Sequence, residues 1–361
     1  MNFNWDWKFY KGDLTGEPWQ PNYPTDSWRE VVVPHNPPFL FSEPDPARPT
    51  WQSGYSYEGI SWYRKNFTLD SGYSDKKIFI HFEAVNTVAD VWINGQHVAQ
   101  HMGGYLPFLA DITDDAFFSD SANIIVVRAD NTDNPEIPIG NTGWFNWGGI
   151  YRDVHLIIKD KLHITDPVHA GIPAGGGIFI TYPSVDPSGA AVDIKTHVLN
   201  ENREQKSCTL ISEICDQKGN TIISFTQAES IGQGFDHTFQ QTTTISDPHL
   251  WHPDTPYLYT LKSTVLDGDD TVDVQFTPFG IRSINFNRAD GFELNGEGFK
   301  FRGANRMQDF PYVGYAMPDA AQVRDIRLMK EAGFQYLRLS QYPQDPSVLE
   351  ACDKYGVLAM V

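Results

Sequence analysis

The chain has 361 residues, a formal net charge of −19, 40% hydrophobic and 14% aromatic residues, a length that predicts two or three domains with ample room for buried cores. Its acidity opposes binding to phosphate backbones and anionic bilayer faces, so no nucleic acid and no membrane is expected as a partner. No stretch approaches the roughly 18 continuous apolar residues of a membrane helix, and Met1-Asn2-Phe3-Asn4-Trp5 lacks the charged and apolar regions of a signal peptide, which leaves a soluble protein that is either cytoplasmic or periplasmic/secreted with its export signal missing.

Residues 1–160 read as short strands separated by turns. Trp62 to Leu69 forms one strand. Ile78, Ile80 and Phe82 alternate with Phe79, His81 and Glu83, the period-2 pattern of a half-buried strand. Val91-Trp92-Ile93 meets Asn94-Gly95 and runs on to Val98, a strong hairpin signal because both turn residues tolerate positive φ. Asn123–Ala129 and Val154–Ile158 complete the series. Strands at this spacing without intervening helices predict a β-sandwich or jelly roll.

Residues 161–282 form a second β segment. It includes Ile194–Val198, Cys208–Cys215, a turn at Lys218-Gly219-Asn220, and Thr221–Phe225. Tyr257, Tyr259, Leu261 and Val265 alternate on a last long strand. Roughly seven strands in this length suit an immunoglobulin-like sandwich. Only three cysteines occur. Cys208 and Cys215 point to opposite faces of one strand and cannot pair there, and no zinc spacing exists.

Residues 283–361 change pattern. Phe299–Gly303 reads as a short strand. A helix follows from Asp319 to Gly333, with Asp319 as its cap and Val323, Ile326 and Met329 as its apolar stripe. Tyr336–Leu339 is a strand, Asp345-Pro346 opens a second helix that Gly356 closes, and Val357–Val361 is a third strand. This order opens a parallel α/β unit. A (β/α)8 barrel takes about 250 residues, so the segment is expected to be the incomplete start of a TIM barrel. The fold class is mainly β: jelly roll, immunoglobulin-like sandwich, truncated barrel.

A series of motifs in order gives the chain a family resemblance. Ser61-Trp62-Tyr63-Arg64-Lys65, then Val91-Trp92-Ile93-Asn94-Gly95 with Gly103–Phe108, then Gly148-Gly149-Ile150-Tyr151-Arg152-Asp153-Val154, resemble the first domain of glycoside hydrolase family 2. Trp251–Tyr259 and Phe279–Arg282 resemble its middle domain. Gly303-Ala304-Asn305-Arg306 and Arg338-Leu339-Ser340-Gln341-Tyr342-Pro343 fall where the family has "GVNRH" and "RxSHYP". The resemblance implies a retaining glycosidase acting on β-galactosides or related β-glycosides. One glutamic acid protonates the leaving oxygen and another attacks the sugar, the carboxyls lying about 5–5.5 Å apart. Both are expected beyond Val361, so this chain alone is expected to be inactive.

The substrate-binding residues implied here are Asn305, Arg306, Met307, Asp309, Arg338 and Gln341. Arg338, at the end of its strand, is placed to hold a carboxylate with two hydrogen bonds. Met307 and Gln341 stand where the family has histidines, and neither can become a cation. The expected partner is an oligosaccharide or glycoside. No cofactor and no metal is expected, and self-association is compatible with the sequence. The alternatives are a non-catalytic carbohydrate-binding module and a degenerate paralogue.

Several signals carry a blander reading. The pair His97/His101 has i, i+4 spacing but on a strand, which holds the rings far apart, and His249/His252 sits in a Pro-rich turn, so neither reads as a metal pair. Gly175-Gly176-Gly177 lacks the Lys-Ser/Thr of a phosphate loop. Asn66-Phe67-Thr68 fits a glycosylation acceptor but lies inside a strand. Trp144, Phe145 and Trp147 line either a sugar subsite or a packing surface.

Overall fold

The Asn94-Gly95 turn organises the first sheet. In the computed structural model, which describes residues 1–37, 57–119, 121–137, 147–289 and 291–361, both turn residues have positive φ, 50° and 90°, as a tight hairpin requires. The turn joins β5 (Val88–Ile93) to β6 (Gln96–Met102). The Asn94 amide donates to Asp115 O at 2.8 Å and Asn123 Oδ1 at 2.9 Å, and its own oxygen accepts from Ile124 N–H. The turn is therefore tied to the start of β8 (Asn123–Asp130). With β1 (Trp7–Lys11), β2 (Arg29–Val31) and β3 (Ile60–Phe67), these strands form a six-stranded antiparallel sheet in the order β2-β1-β3-β8-β5-β6.

A smaller sheet of β4 (Lys77–Phe82), β7 (Phe108–Asp111) and β9 (Val154–Lys159), ordered β7-β4-β9, faces it. Alternate residues meet between the two. Trp7, Tyr63, Val91, Ile93 and Val127 come from the large sheet, and Ile78, Ile80, Phe82, Ala110 and Val154 from the small one. Burying each such aliphatic side chain contributes about 1.5–3 kcal/mol. The outer face of the large sheet is also covered, by Trp19 stacked on Trp92 and Trp62. Arg64 holds that cover in place by donating to the carbonyls of Gln20 and Pro21.

The second sandwich has eight strands, one more than the sequence pattern suggested. They are β10 (Leu162–Ile164), β11 (Ile178–Asp186), β12 (Gly189–Asn200), β13 (Lys206–Cys215), β14 (Thr221–Ile231), β15 (Asp236–Ser246), β16 (Tyr259–Asp267) and β17 (Asp270–Phe279). β12 pairs with β10, β11 and β15, and the facing sheet is β14-β13-β16-β17. Cys208 is buried and Cys215 half-buried, on opposite faces of β13 as alternation demands. The extra strand is β17. Val274 and Phe276 on it are exposed, while the acidic Asp273 is buried. Asp273 is satisfied there by Lys159 Nζ at 2.7 Å and the Ile164 N–H at 2.9 Å, so its polarity runs opposite to a simple strand pattern.

The last region begins with a small sheet of β18 (Ile284–Asn287), β19 (Gly291–Leu294) and β20 (Glu297–Gly298). The strand expected at Phe299–Gly303 is replaced by an extended connection. Phe299 and Phe301 alternate as a strand would, but their rings pack on Phe292 and Tyr336 instead of entering a ladder. The parallel sheet is β21 (Gly303–Arg306), β22 (Tyr336–Leu339) and β23 (Leu358–Met360), with α1 (Asp319–Glu331) and α2 (Pro346–Tyr355) as crossovers. Asp319 lies in the first turn of α1 and not at its cap, because the Pro318 carbonyl already accepts from Gln322 N–H. The acid still complements the helix dipole there. Phe334 N–H bonds back to Met329 O and closes the helix. Leu337, Leu339, Ile326, Val348 and Cys352 fill the space between sheet and helices.

The chain divides into two compact units. One holds Met1–Ile158 together with Met307–Gln322 and Gln341–Pro346, and the other holds Lys159–Arg306, Val323–Ser340 and Ser347–Val361.

Asn94→Ala removes three hydrogen bonds and the left-handed tolerance at once and is expected to cost about 2–4 kcal/mol of stability in urea unfolding. Asn94→Gly keeps the turn and is expected to cost less. Equal losses would assign the whole effect to the amide.

Candidate functional site

Successive strand residues point to opposite faces, and this divides the first motif. On β21, Arg306 turns toward the helices. It is 5% exposed and donates to Asp325 of α1 at 3.0 Å. The expectation that Arg306 contacts substrate therefore does not match its position, since its guanidinium is spent on a structural ion pair. Asn305 points to the face opposite the helices and is exposed. Arg338 on β22 is its register partner, followed by Met360 on β23. Asn305, Arg338 and Met360 thus form a row across the sheet. Arg338 is half-buried, and its Nη1 donates to Ser340 Oγ at 2.8 Å.

The segments that follow β21 and β22 belong to the unit of the first sandwich. Arg152 is the residue that ties them there. Its guanidinium is 2% exposed. It donates to the Tyr105 carbonyl at 3.3 Å, to Gln308 Oε1 at 3.4 Å and to the Pro343 carbonyl at 2.6 Å. Gln308, fully buried, also accepts from the Asp345 N–H at 3.3 Å. Tyr105, Tyr151, Tyr315, Tyr342 and Trp147 pack around these contacts as an aromatic cluster. Burial pushes the Tyr151, Tyr315 and Tyr342 phenols up, so they stay neutral.

Asp309 accepts a hydrogen bond from Trp147 Nε1–H. Loss of hydration raises its carboxyl above the usual range, and the indole donor partly offsets this. Met307 is 37% exposed and Gln341 is exposed. Arg152 and Gln308 were not among the site residues expected from sequence, whereas Trp147, expected to line a sugar subsite or a packing surface, packs in the aromatic cluster. The signal that could have found Arg152 is a charge inside the otherwise apolar Gly148–Val154 motif.

Near the same loops, Glu83 accepts from His155 Nε2 at 3.4 Å. Burial raises the Glu83 carboxyl, with Asp345 and Asp153 adding to it, and the bond to Glu83 raises His155. His97 bonds to Asp90, His101 stacks on Phe108, His249 stacks on Tyr257 and His252 lies by Asp254. Among the described residues no group of three or more His, Cys, Asp or Glu is placed to hold a metal. Gly177 N–H is taken by Thr165 Oγ1 in a closed loop, and Asn66 is exposed on β3. Trp144 and Phe145 lie outside the described residues.

Arg152→Met is expected to cost about 3–5 kcal/mol, because hydrogen bonds to a charged donor are lost from two buried acceptors and one partly buried one. Hydrogen exchange should accelerate at 308–316 and 341–345 and leave the second sandwich unchanged. His155 has a raised folded pKa, so its stabilisation is complete below the unfolded value of about 6.5 and fades as pH rises through the folded value. His155→Gln should therefore lie furthest below the wild type in thermal midpoint at about pH 5.5 and converge with it by about pH 8. A gap constant with pH would refute this.

Profiles of three parts of one family match the chain: "Glycosyl hydrolases family 2, sugar binding domain" over residues 47–160, "Glycosyl hydrolases family 2" over 177–282, and "Glycosyl hydrolases family 2, TIM barrel domain" over 287–361. A β-galactosidase of Thermoanaerobacter pseudethanolicus is 34% identical over 365 residues, covering 99% of this chain and 45% of the relative. A β-glucuronidase of Formosa agariphila is 31% identical, covering 100% of this chain and 37% of the relative. The structure of Bacteroides uniformis β-glucuronidase 2 covalently bound to cyclophellitol-6-carboxylate aziridine matches with a TM-score of 0.90 at 31% identity, covering 99% of this chain and 41% of that one. The chain thus spans less than half the length of these relatives. With matching profiles along its length and this likeness in fold, the chain belongs to glycosyl hydrolases family 2, of which it carries the two sandwiches and the opening of the barrel.

Proposed function

We propose that this chain is the N-terminal part of a retaining exo-β-glycosidase that releases a terminal sugar from β-galactosides, β-glucuronides or a related β-glycoside. The observation that carries the reading is the row Asn305–Arg338 on the sheet face opposite the helices. In a barrel that face lines the interior, and its C-terminal end carries the chemistry. Arg338 is then the carboxylate-holding residue, able to position an attacking glutamate by a two-pronged hydrogen bond. Asn305 shares that face with Arg338, and Met307, Asp309 and Gln341 are further candidates for contact with the sugar, Asp309 being held by Trp147. Arg306 braces α1 from behind. The acid/base and nucleophile come from sequence after Val361, and the domains run 1–160, 161–282 and 283–361.

Met307 and Gln341 bear on specificity. Neither can supply the positive charge of an imidazolium beside a developing negative charge. A weaker grip on galactosides follows, and a different β-glycoside becomes the better substrate.

The complete protein is expected to hydrolyse an aryl β-galactoside, β-glucuronide or β-mannoside, with the β-anomer as first product by NMR. Arg338→Ala should lower kcat/KM by about 100-fold or more. Turnover by the 361-residue chain alone would overturn the placement of the catalytic pair, and an inverted product would overturn the retaining mechanism. A binding-only role is favoured by the sugar-binding description of the profile over residues 47–160. Calorimetric binding of oligosaccharides by a complete protein that turns over none of the three aryl substrates would establish that role instead.

A further inference from the structure

Arg306 and Arg338 sit on adjacent strands of the parallel sheet and are held in opposite ways. Arg306 is paired with a carboxylate, Asp325, at 3.0 Å. Arg338 has one hydrogen-bond partner among the described residues, and that partner is neutral. It is the Ser340 hydroxyl oxygen, which accepts from Nη1 at 2.8 Å. Ser340 is itself fixed. It is 6% exposed, and its N–H donates to the Arg306 carbonyl at 3.0 Å, just past the last paired residues of β21 and β22. Ser340 lies beyond Arg338 in the direction of the strand. The bond therefore leans the guanidinium toward the C-terminal end of β22, the end at which barrel enzymes keep their chemistry.

Arg338 does not need this bond for solvation, since it is only half-buried and water can reach its donors. What the bond supplies is direction. An arginine side chain loses much rotamer freedom when it is fixed, and a hydroxyl that fixes it beforehand removes that loss from any later contact. The neutrality of the acceptor matters as well. A carboxylate would hold the guanidinium but would cancel the charge that a second carboxylate needs, whereas a hydroxyl leaves the charge whole. The nitrogen used also matters. Nη1 lies on the Cδ side of the guanidinium, so the edge formed by Nε–H and Nη2–H stays clear for two parallel bonds to a carboxylate.

Resting on the reading of Arg338 as the holder of the attacking glutamate, we infer that Ser340 is a positioning residue for the reaction. It aims the Arg338 guanidinium along the strand and presents its two-pronged edge, with the charge uncompensated, to that glutamate. Ser340 touches neither sugar nor reacting atoms, and acts only through Arg338.

The test is a mutant cycle in the complete protein. It is read as kcat/KM and its pH profile on whichever of an aryl β-galactoside, β-glucuronide or β-mannoside is turned over. Ser340→Ala is expected to lower kcat/KM about 10-fold. In the Arg338→Ala background the same change should cost less than about 2-fold, because no guanidinium is left to aim. A guanidinium beside a carboxylate lowers its pKa, and the acid limb of kcat/KM reports the nucleophile of the free enzyme. Ser340→Ala loosens that grip and should move the acid limb to higher pH, by about half a unit. Equal losses in both backgrounds, an unmoved acid limb, or undiminished activity of Ser340→Ala would overturn the inference and leave Ser340 a structural residue. Arg338→Ala as active as the wild type would overturn the carboxylate-holding role, and a wild type that turns over none of the three substrates would overturn the glycosidase reading. The inference falls with either.

Discussion

A buried guanidinium is costly unless every side of it is answered. Arg152 is answered at its two Nη groups, by the carbonyls of Tyr105 and Pro343 and by the Gln308 amide oxygen, while its buried Nε has no hydrogen-bond partner among the described residues. Two chain segments distant in sequence, around 308 and around 343, are fixed to the first sandwich by one side chain. The aromatic cluster around it keeps water out and strengthens each bond by lowering the local dielectric.

The same economy appears in the parallel sheet. Leu337 and Leu339 take the helix side of β22, so Arg338 must take the other. On β21 the order is reversed in chemistry, since the helix side receives Arg306 and its partner Asp325. Two arginines in adjacent motifs thus have opposite duties, one bracing a helix and one facing the interior of the sheet.

Much of the architecture was legible because its cues are local. Asn94-Gly95 demands a hairpin, and Gly333 and Gly356 stop helices whatever surrounds them. The errors arose where long-range partners decide the outcome. β17 was missed because Asp273 occupies a buried position, which only Lys159 and the Ile164 N–H make tolerable. Phe299 and Phe301 mimic a strand, yet the rings of Phe292 and Tyr336 capture them. For the site, motif matching located Asn305 and Arg306 together, but strand alternation alone forbids both from facing one pocket. Arg152 and Gln308 are not legible because their role is a sum of contacts with partners 37 to 191 residues away in sequence.

β17 is also the outermost strand of its sheet, with Val274 and Phe276 turned outward. An unpaired backbone edge beside exposed apolar side chains is a template onto which another chain can add a strand. Asp269 and Asp270 stand at its start, and the chain as a whole is strongly acidic. Charge repulsion between equally acidic copies opposes such an addition, and acid or high salt would weaken that opposition.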